Sequence, residues 1–450
     1  MADDKSTGEV SKEEVLAALS QIEDPDLHRD IVSLGFIKDE DINICGGNVA
    51  VRIVLTTPAC PVREQMKQQA TELLEALHDV EHAEVNMDAD VRATTMRGQK
   101  PVEGVRNIIA VASNKGGVGK STVAVNLALA LTKFGAKVGL MDADLTGPNL
   151  PTMLGVDSGL QADTGLSIVE RYGVKLASIG FVLKKGLAVV WRGPMIGTGV
   201  RQLLHDMPWG EVRVRLEGVI TAVQDQQVLV MVSGQNWTVM IGEQVEIHAQ
   251  NEEPLSVSQL KVNDHIEVRG TQALDQTIHA KRIRLQDSVH ESVDIEDDTL
   301  DYLVIDLPPG TSDASMSMAQ EAPIAGTVIV TTPNSVSLED AMKAVMMFEK
   351  LQVPVFGVVE NMSYFACPHC GERTDIFGHG GAQVTAEELG LDFLGEIPLD
   401  VAVRESSDSG VPIMVSAPDS PVAQAILEIA QKIAAKTSVQ HFFAQTAAAS

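Results

Sequence analysis

SNKGGVGKST, residues 113–122, lies between a strand-like run at 105–112 and a helix-like run at 122–134. Glycines allow the backbone to turn tightly enough for its N–H groups to point at phosphate oxygens, and the following helix adds its positive N-terminal end. In such a loop Lys120 reaches the β- and γ-phosphates, and the Ser121 hydroxyl ligates Mg²⁺. The residues predicted to contact a nucleotide are Gly116, Gly117, Val118, Gly119, Lys120, Ser121 and Thr122.

A second lysine inside this loop narrows the class of phosphate-binding loop to which it belongs. The general pattern has glycine five residues before Gly119, where this chain has Asn114, and it adds a second lysine at Lys115. The form KGGVGKS resembles the deviant loop of the P-loop class that contains the septum-site and partition ATPases, the nitrogenase iron protein and the Mrp-type iron-sulfur cluster carriers. The resemblance implies that Lys115 is catalytic and reaches the phosphates of a second copy, as an arginine finger does. Catalysis would then require a homodimer.

Composition limits the function classes. A chain of 450 residues suggests two or three domains, and its net charge of −28 disfavours nucleic acid and anionic membrane as partners. The first residues lack a signal-peptide pattern, and no run approaches about 18 consecutive apolar residues, so we expect a cytoplasmic protein. Four cysteines are too few for a disulfide scaffold and favour metal or redox chemistry in a reducing compartment.

Residues 10–92 are predicted to form a small α+β domain, followed by a linker at 93–104. Cys60 precedes Pro61, which suits the first position of a helix, so the helix dipole is expected to lower the pKa of the Cys60 thiol. Asp24-Pro25 and the segment TPACP at 57–61 resemble the metal-sulfur cluster assembly domain that often precedes Mrp-type ATPases. Cys60 would then be a transient cluster ligand; a buried structural cysteine is the alternative.

From residue 105 strands and helices alternate, which predicts an α/β domain with a doubly wound, mostly parallel sheet, formed by 105–210 and 299–435. One strand ends in Asp142 and Asp144, at the sheet edge where such folds bind ligands. The segment DADLTGPNLP resembles the switch segment of Mrp-type ATPases. By that resemblance Asp144 orients the attacking water and Asp142 supports Mg²⁺.

A second apolar strand ends at Asp306, the Walker B arrangement, in which the carboxylate holds a Mg²⁺-bound water. Gly310, in the following loop, is predicted to donate its N–H to the γ-phosphate. No guanine-reading Asn-Lys-x-Asp motif occurs, which favours ATP. By family resemblance Asn361 contacts the adenine.

The two halves of this domain are separated by residues 211–298, where apolar residues alternate with a period of two. Short strands separated by glycine turns predict an inserted β-barrel-like domain. At the other end of the chain, residues 436–450 are predicted to be a disordered tail.

Cys367-Pro368-His369-Cys370-Gly371 is a metal knuckle, with two thiols on one tight turn. Iron-sulfur clusters and closed zinc sites usually take four protein ligands, and the chain has no second C-x-x-C. A homodimer supplies the missing pair, so a [4Fe-4S] cluster shared between two copies is favoured. Zinc in the same geometry and a redox-active pair are the alternatives.

In combination these motifs resemble an Mrp-type iron-sulfur cluster carrier. The resemblance implies an ATP-hydrolysing homodimer that receives a labile [4Fe-4S] cluster from scaffold proteins and transfers it to apo-proteins. Two other classes share the loop: septum- or partition-type positioning ATPases, and ATP-gated electron donors like the nitrogenase iron protein. The first needs a basic membrane-binding helix or DNA-binding face, which this acidic chain does not offer.

Overall fold

The structure is a computed structural model that consists of two compact units. The larger unit combines Met1–Met207 with Asp301–Ser450, and the smaller one is Pro208–Leu300. The structure describes residues 10–93, 100–145, 147–157, 161, 165–183, 193–224, 226–242, 244–272, 276–288, 290–310, 313–367 and 369–449.

The larger unit begins with a small α+β arrangement. Its elements are α1 (Lys12–Leu19), β1 (Glu23–Asp24), β2 (Arg29–Asp30), β3 (Ile42–Cys45), β4 (Asn48–Leu55), α2 (Arg63–Glu75) and β5 (His82–Ala89). Helix α1 starts at a capping box in which the Ser11 and Glu14 side chains each accept the other residue's backbone N–H. Strand β4 pairs antiparallel with β3 and parallel with β5, and its residues alternate in burial because one face packs on the core.

The first half of the α/β domain comes next in the chain. Its elements are β6 (Val105–Ala112), α3 (Lys120–Lys133), β7 (Val138–Asp142), α4 (Leu150–Met153), β8 (Val169–Arg171), β9 (Val174–Ala177) and α5 (Gly193–Arg201). Every residue of β7 is buried, as expected for a parallel strand covered by helices on both faces.

The smaller unit is entirely β apart from one short 3-10 turn at Val257–Gln259 among its described residues. Its strands are β10 (Val212–Gln224), β11 (Gln227–Val232), β12 (Gln235–Met240), β13 (Glu246–His248), β14 (His265–Gln272), β15 (Thr277–Gln286) and β16 (Ser292–Asp297). Strand pairing runs from β10 through β11, β12, β15 and β14 and returns to β10, with only the β12–β15 pair of this ring parallel. The buried side chains of these strands, including Trp237, form a core of their own.

The second half of the α/β domain completes the larger unit. Its elements are β17 (Leu300–Asp306), α6 (Asp313–Glu321), β18 (Ile324–Thr331), α7 (Ser335–Lys350), β19 (Val355–Ala366), β20 (Arg373–Thr374), α8 (Gly381–Glu388), β21 (Phe393–Leu399), α9 (Val401–Ser409), α10 (Ile413–Ser416) and α11 (Pro421–Ala449). The central sheet has the order β20-β19-β18-β6-β17-β7-β9-β8, and β21 also pairs with β19. The pairs β6–β18, β18–β19, β19–β21, β17–β7 and β7–β9 are all parallel, whereas the short β8 and β20 pair antiparallel with their neighbours. This arrangement confirms the predicted α/β class.

Helix α11 differs from the sequence prediction, because it continues to Ala449 where a disordered tail was expected from residue 436. The extra turns have partners in the chain: Thr437 is buried, Ser438 bonds the Thr56 hydroxyl, and His441 Nδ1 lies 2.7 Å from the Ala93 carbonyl oxygen. No helix in the described stretches, α11 included, has the length and apolar character needed to cross a membrane.

The α+β arrangement packs directly on the α/β domain. The Thr57 and Tyr302 hydroxyls are 3.1 Å apart in a buried contact, and Asn107 Nδ2 donates to the Arg92 carbonyl at 3.0 Å. Ala59 and Val91 belong to the same buried cluster as strand β6. Of the predicted linker, residues 94–99 lie outside the described part of the chain, while Val102 is buried.

Candidate functional site

The phosphate loop joins β6 to α3 at the centre of the sheet. Gly117 and Gly119 have φ of 84° and 83°, the left-handed conformation that favours glycine, and Gly119 is the N-cap of α3. Lys115, Gly116 and Gly117 are exposed, so the outer part of the loop is open to a ligand.

Lys120 and Asp306 form a buried ion pair at the base of this loop. Strand β17 delivers Asp306 from the neighbouring position in the sheet. Burial raises the pKa of Asp306, and the Lys120 ammonium opposes that rise. The Ser121 hydroxyl lies 3.4 Å from Lys120 Nζ, so the lysine, the serine and the carboxylate predicted from sequence are brought together.

Asp142 lies directly beside Asp306, because the two residues are paired in the register of β7 and β17. Burial raises the pKa of Asp142, and the adjacent Asp306 carboxylate raises it further. Asp142 accepts hydrogen bonds from the Asp144 N–H at 3.1 Å and from the Ser178 hydroxyl at 3.2 Å. Ser178 belongs to no sequence motif and was not predicted, since it reaches Asp142 only through the β7–β9 pairing.

The remaining predicted catalytic residues lie on the rim. Asp144 is half-buried and its carboxylate accepts the Gly147 N–H at 3.2 Å, while Thr146 in the same segment is outside the described residues. Asn114 Nδ2 lies 3.5 Å from Asp340 Oδ1, beside the exposed Lys115. The catalytic roles of Asp144 and Lys115 stay predictions.

Two residues that were predicted to contact the nucleotide have hydrogen-bond partners within the chain. The Gly310 N–H was predicted to reach a γ-phosphate, but it donates to the Ser113 carbonyl at 2.9 Å. Asn361 was predicted to contact adenine, but its Nδ2 donates to the Val118 carbonyl at 2.8 Å and is buried against the loop. Both contacts satisfy backbone carbonyl groups of the phosphate loop, and the nucleotide contacts of Gly310 and Asn361 stay predictions.

The cysteine pair lies on the turn that connects β19 to β20. Cys367 is half-buried and Cys370 is exposed. The backbone N–H groups of Cys370 and His369 hydrogen-bond the Cys367 sulfur and lower the pKa of its thiol. Gly371 has φ of 75°, and its N–H donates to the Cys367 carbonyl at 2.8 Å, which closes the turn. Pro368 is outside the described residues.

Cys60 does not have the environment that the sequence predicted. Helix α2 begins at Arg63 rather than at Pro61, and its N-cap is Val62, so Cys60 lies before the helix. Burial raises the pKa of the Cys60 thiol to about 11, with a further contribution from Asp24 and Asp26. The expected lowering by the helix dipole was wrong, because desolvation of the thiolate outweighs it.

A polar cluster beneath the cysteine turn was not predicted. It consists of Glu360, Ser363, Arg373, His379 and Glu396. These residues come from three strands of the sheet, β19, β20 and β21, and from the loop before α8, and the sequence contains no motif that links them. Glu360 is fully buried in this cluster, and Arg373 is partly exposed.

A glycine-rich loop between a strand and a helix, with Lys120 and Asp306 paired at its base, defines a P-loop NTPase. A family profile described as NUBPL iron-transfer P-loop NTPase matches residues 104–216 and 222–434, and one described as iron-sulfur cluster assembly protein matches residues 12–87. The chain therefore belongs to the family of NUBPL iron-transfer P-loop NTPases, with an iron-sulfur cluster assembly domain at 12–87.

Named relatives agree with this assignment. An iron-sulfur cluster carrier protein of Synechocystis is 36% identical over 433 residues, 94% of this chain and 97% of that protein. The iron-sulfur cluster transfer protein NUBPL of Dictyostelium discoideum is 36% identical over 336 residues, 74% of this chain and 77% of that protein. Among solved structures, a nucleotide-binding protein from Archaeoglobus fulgidus in complex with ADP is 31% identical, with a TM-score of 0.43 over 68% of this chain and 88% of that one.

Proposed function

We propose that this chain is an ATP-hydrolysing iron-sulfur cluster carrier, which holds a labile [4Fe-4S] cluster between two copies and transfers it to apo-proteins. The observation that carries the proposal is the pair Cys367 and Cys370 on one accessible turn, where the Cys367 thiol has a lowered pKa because backbone N–H groups face its sulfur. Thiolate is the form that binds iron. The pair follows the same strand, β19, that contains Asn361, which contacts the phosphate loop.

Two thiols in each chain supply half of the ligands that a [4Fe-4S] cluster takes. A two-fold dimer brings two such pairs together and completes the set. A single exposed turn also allows a recipient's cysteines to approach and displace these ligands one at a time. Zinc bound in the same geometry is the alternative occupant.

At the nucleotide site, Lys120 exchanges its ion pair with Asp306 for the phosphates of ATP, and Lys115 reaches the nucleotide of the partner copy. Asp144 orients the attacking water. The oxygen atoms of Ser121, Asp142 and Asp306 suit Mg²⁺, because hydroxyl and carboxylate oxygens are the ligands that this cation prefers. When bound, the cation would neutralise part of the phosphate charge.

The names of the relatives support an iron-sulfur cluster as the cargo. Relatives over most of this chain are called carrier and transfer proteins for iron-sulfur clusters. We infer that scaffold proteins load this chain in the cytoplasm and that apo iron-sulfur proteins unload it. In this proposal Cys60 becomes a transient cluster ligand only after iron lowers the raised pKa of its thiol.

Anaerobic reconstitution with iron and sulfide tests the proposal. Iron content, the visible absorption spectrum and the molecular mass in solution are measured for the wild type, for the double variant C367S/C370S and for the control C45S. The proposal expects about four irons per dimer in the wild type and the control, and none in the double variant. An iron content unaffected by the double substitution, or zinc bound in place of iron, would refute the cluster assignment.

A further inference from the structure

Strand β19 contains a bulge between the nucleotide site and the cysteine pair. Asn361 lies opposite Ile397 of β21, whereas Phe365 lies opposite Leu399, so three residues of β19 face one residue of its neighbour. Met362, the first of the three, has φ of 56°, which non-glycine residues rarely adopt. A bulge bends a strand and re-aims the residues after it. In this chain the residues after the bulge are those of the cysteine turn.

The two ends of this bulge contact different sites. On one side Asn361 is buried and donates to the Val118 carbonyl of the phosphate loop. On the other side Cys367 comes two residues after Phe365, and the N–H of Cys367 donates to the Glu372 carbonyl at 2.9 Å within the turn. The bulge therefore separates the residue that contacts the phosphate loop from the residues of the cysteine turn.

The middle residue of the bulge, Ser363, lies between two carboxylates. Its buried hydroxyl is 2.6 Å from Glu360 Oε1 and 2.9 Å from Glu396 Oε2. A serine hydroxyl has a single proton, so it donates to only one of these oxygens at a time. The contact therefore has two alternative arrangements that differ by rotation of one hydroxyl group.

Each carboxylate is tied to a different part of the molecule. Glu360 accepts the N–H groups of Gly380 and Ala382, at 3.3 and 2.8 Å, at the start of α8. Glu396 accepts from both terminal nitrogens of Arg373, each at 3.3 Å. Arg373 belongs to β20, the strand that leaves the cysteine turn, so Glu396 is connected to the thiols and Glu360 to the body of the domain.

Arg373 also stacks on the bulge. Its guanidinium carbon lies 3.8 Å from the centre of the Tyr364 ring, and Tyr364 is the third bulge residue. Arg373, the first residue of β20, therefore contacts both the bulge and Glu396. A guanidinium makes paired bonds in a fixed plane, so the position of Arg373 depends on both Glu396 and Tyr364.

We propose that Ser363 is a positioning residue that couples nucleotide binding to the cysteine pair, by donating to Glu360 in one state of the phosphate loop and to Glu396 in the other. This inference rests on the proposed function and specifies its mechanism. Nucleotide binding shifts the loop carbonyl held by Asn361, the bulge changes its backbone angles, and Arg373 moves the cysteine turn. By linkage, a ligand on the thiols changes nucleotide affinity by the same factor.

The same cluster has the composition of a metal site, since ligand atoms of Glu360, His379 and Glu396 all lie within 4.8 Å of one another. The guanidinium of Arg373 already supplies a positive charge to His379 and Glu396. Its Nη2 is 2.6 Å from His379 Nδ1 and bonds Glu396 as well. The charges and hydrogen bonds therefore favour a structural role for these residues, held together by Arg373, over metal binding.

The test measures alkylation of Cys367 and Cys370 by iodoacetamide in the full chain, followed by mass spectrometry, with and without a saturating non-hydrolysable ATP analogue and Mg²⁺. In the wild type we expect the analogue to change the alkylation rate by about fivefold or more, the usual size of coupling between two sites. In S363A we expect the same nucleotide affinity and a nucleotide effect near onefold. S406A, which removes another buried serine hydroxyl in α9, is the matched control and should respond like the wild type.

R373Q is the second variant, in case S363A unfolds. It keeps Ser363 and removes the link from Glu396 to β20, so the nucleotide effect on alkylation should fall in the same way. Thermal midpoints of all variants separate a folding defect from lost coupling, because a purely structural role lowers the midpoint and leaves the nucleotide effect in place.

These thiols are measured without any cluster, so failure to bind iron would refute the proposed function and leave this assay valid. A wild type whose thiols ignore nucleotide would refute the coupling. A full nucleotide effect in S363A would show that the coupling does not depend on Ser363 and would refute the proposal. Zinc that binds to C367S/C370S and is lost when H379A is added would show that Glu360, His379 and Glu396 form a metal site. That result would overturn the positioning role proposed for Ser363.

Discussion

Gly117 and Gly119 have nearly the same backbone conformation but different surroundings. A Cβ atom added at Gly117 would meet no atom within 4 Å, whereas one at Gly119 would lie 2.2 Å from Asn361 Nδ2. Positive φ explains glycine at both positions. Only at Gly119 does close packing against another strand add a second requirement, and that requirement comes from the tertiary structure.

These two glycines give a matched pair of substitutions. G117A should lower the free energy of unfolding by about 1 kcal/mol, the cost of a left-handed alanine. G119A should lower it by a further 1–3 kcal/mol or so, because the methyl group overlaps the Asn361 amide. Urea unfolding of both variants measures the difference. Equal losses would show that Asn361 moves aside at no cost.

Lys120 is the only cation paired with Asp306 among the described residues, and both side chains are buried. Its removal therefore affects both chemistry and folding. Two carboxylates, Asp306 and Asp142, would share a buried site without a compensating ammonium.

K120A should reduce ATP hydrolysis by about 100-fold or more, because a positioned charge that stabilises the transition state is lost. Iron bound at Cys367 and Cys370 should remain, since the cysteine turn is a separate site. K133A, an exposed lysine in the last turn of the same helix, is the control and should hydrolyse ATP normally. Equal loss of hydrolysis and iron from K120A would indicate misfolding or a different coupling.

At the scale of secondary-structure elements, two of the three predicted metal-binding thiols, Cys367 and Cys60, have opposite environments. The turn between β19 and β20 points backbone N–H groups at the Cys367 sulfur and lowers the pKa of its thiol. The segment before α2 buries Cys60 and raises the pKa of its thiol to about 11. Backbone N–H groups directed at a sulfur stabilise its thiolate, whereas burial disfavours the charged form.

Alkylation rates against pH should separate these thiols. At pH 8 the Cys60 thiol is ionised in about one molecule in a thousand, and each unit of pH raises that fraction about tenfold, so its rate should rise steeply up to pH 10. The rate at Cys367 should level off at lower pH, because its pKa lies below the ordinary value. In urea the two profiles should coincide. Parallel profiles in the folded chain would contradict both shifts.

At the scale of the whole molecule, the smaller unit begins and ends at one place. The Asp298 N–H donates to the Glu211 carbonyl at 3.0 Å, and Val212 of β10 lies opposite Asp297 of β16. Chain ends this close allow an insertion into a surface loop without stretching either flank. The separate apolar core of its strands agrees with independent folding.

We therefore expect that replacing residues 212–297 by a short Gly-Ser turn leaves a folded chain that hydrolyses ATP and binds iron as before. Calorimetry should show loss of the unfolding enthalpy of the smaller unit alone. W237A, which opens a cavity in the core of that unit, is the companion variant and should lower its stability by about 3–5 kcal/mol without changing hydrolysis. Loss of hydrolysis in both variants would assign the smaller unit a role in catalysis.

Much of the α/β fold and of the nucleotide site was predictable from sequence, because contiguous patterns encode both. An apolar run before SNKGGVGKST places the loop after a strand, and an apolar run before Asp306 places that carboxylate at the same sheet edge. The disordered tail was predicted from composition alone. Its helical structure depends on partners, Thr56 and Ala93, that are more than 340 residues away in the chain.

By itself the sequence determined the P-loop class and the mostly parallel α/β fold, since both depend on patterns of residues close together in the chain. Only the tertiary structure decided which groups Asn361 and Gly310 bond within the chain, what surrounds Cys60, and that Ser363 lies between Glu360 and Glu396. Burial and hydrogen-bond partners set these properties, and both arise from groups that folding brings together from distant segments.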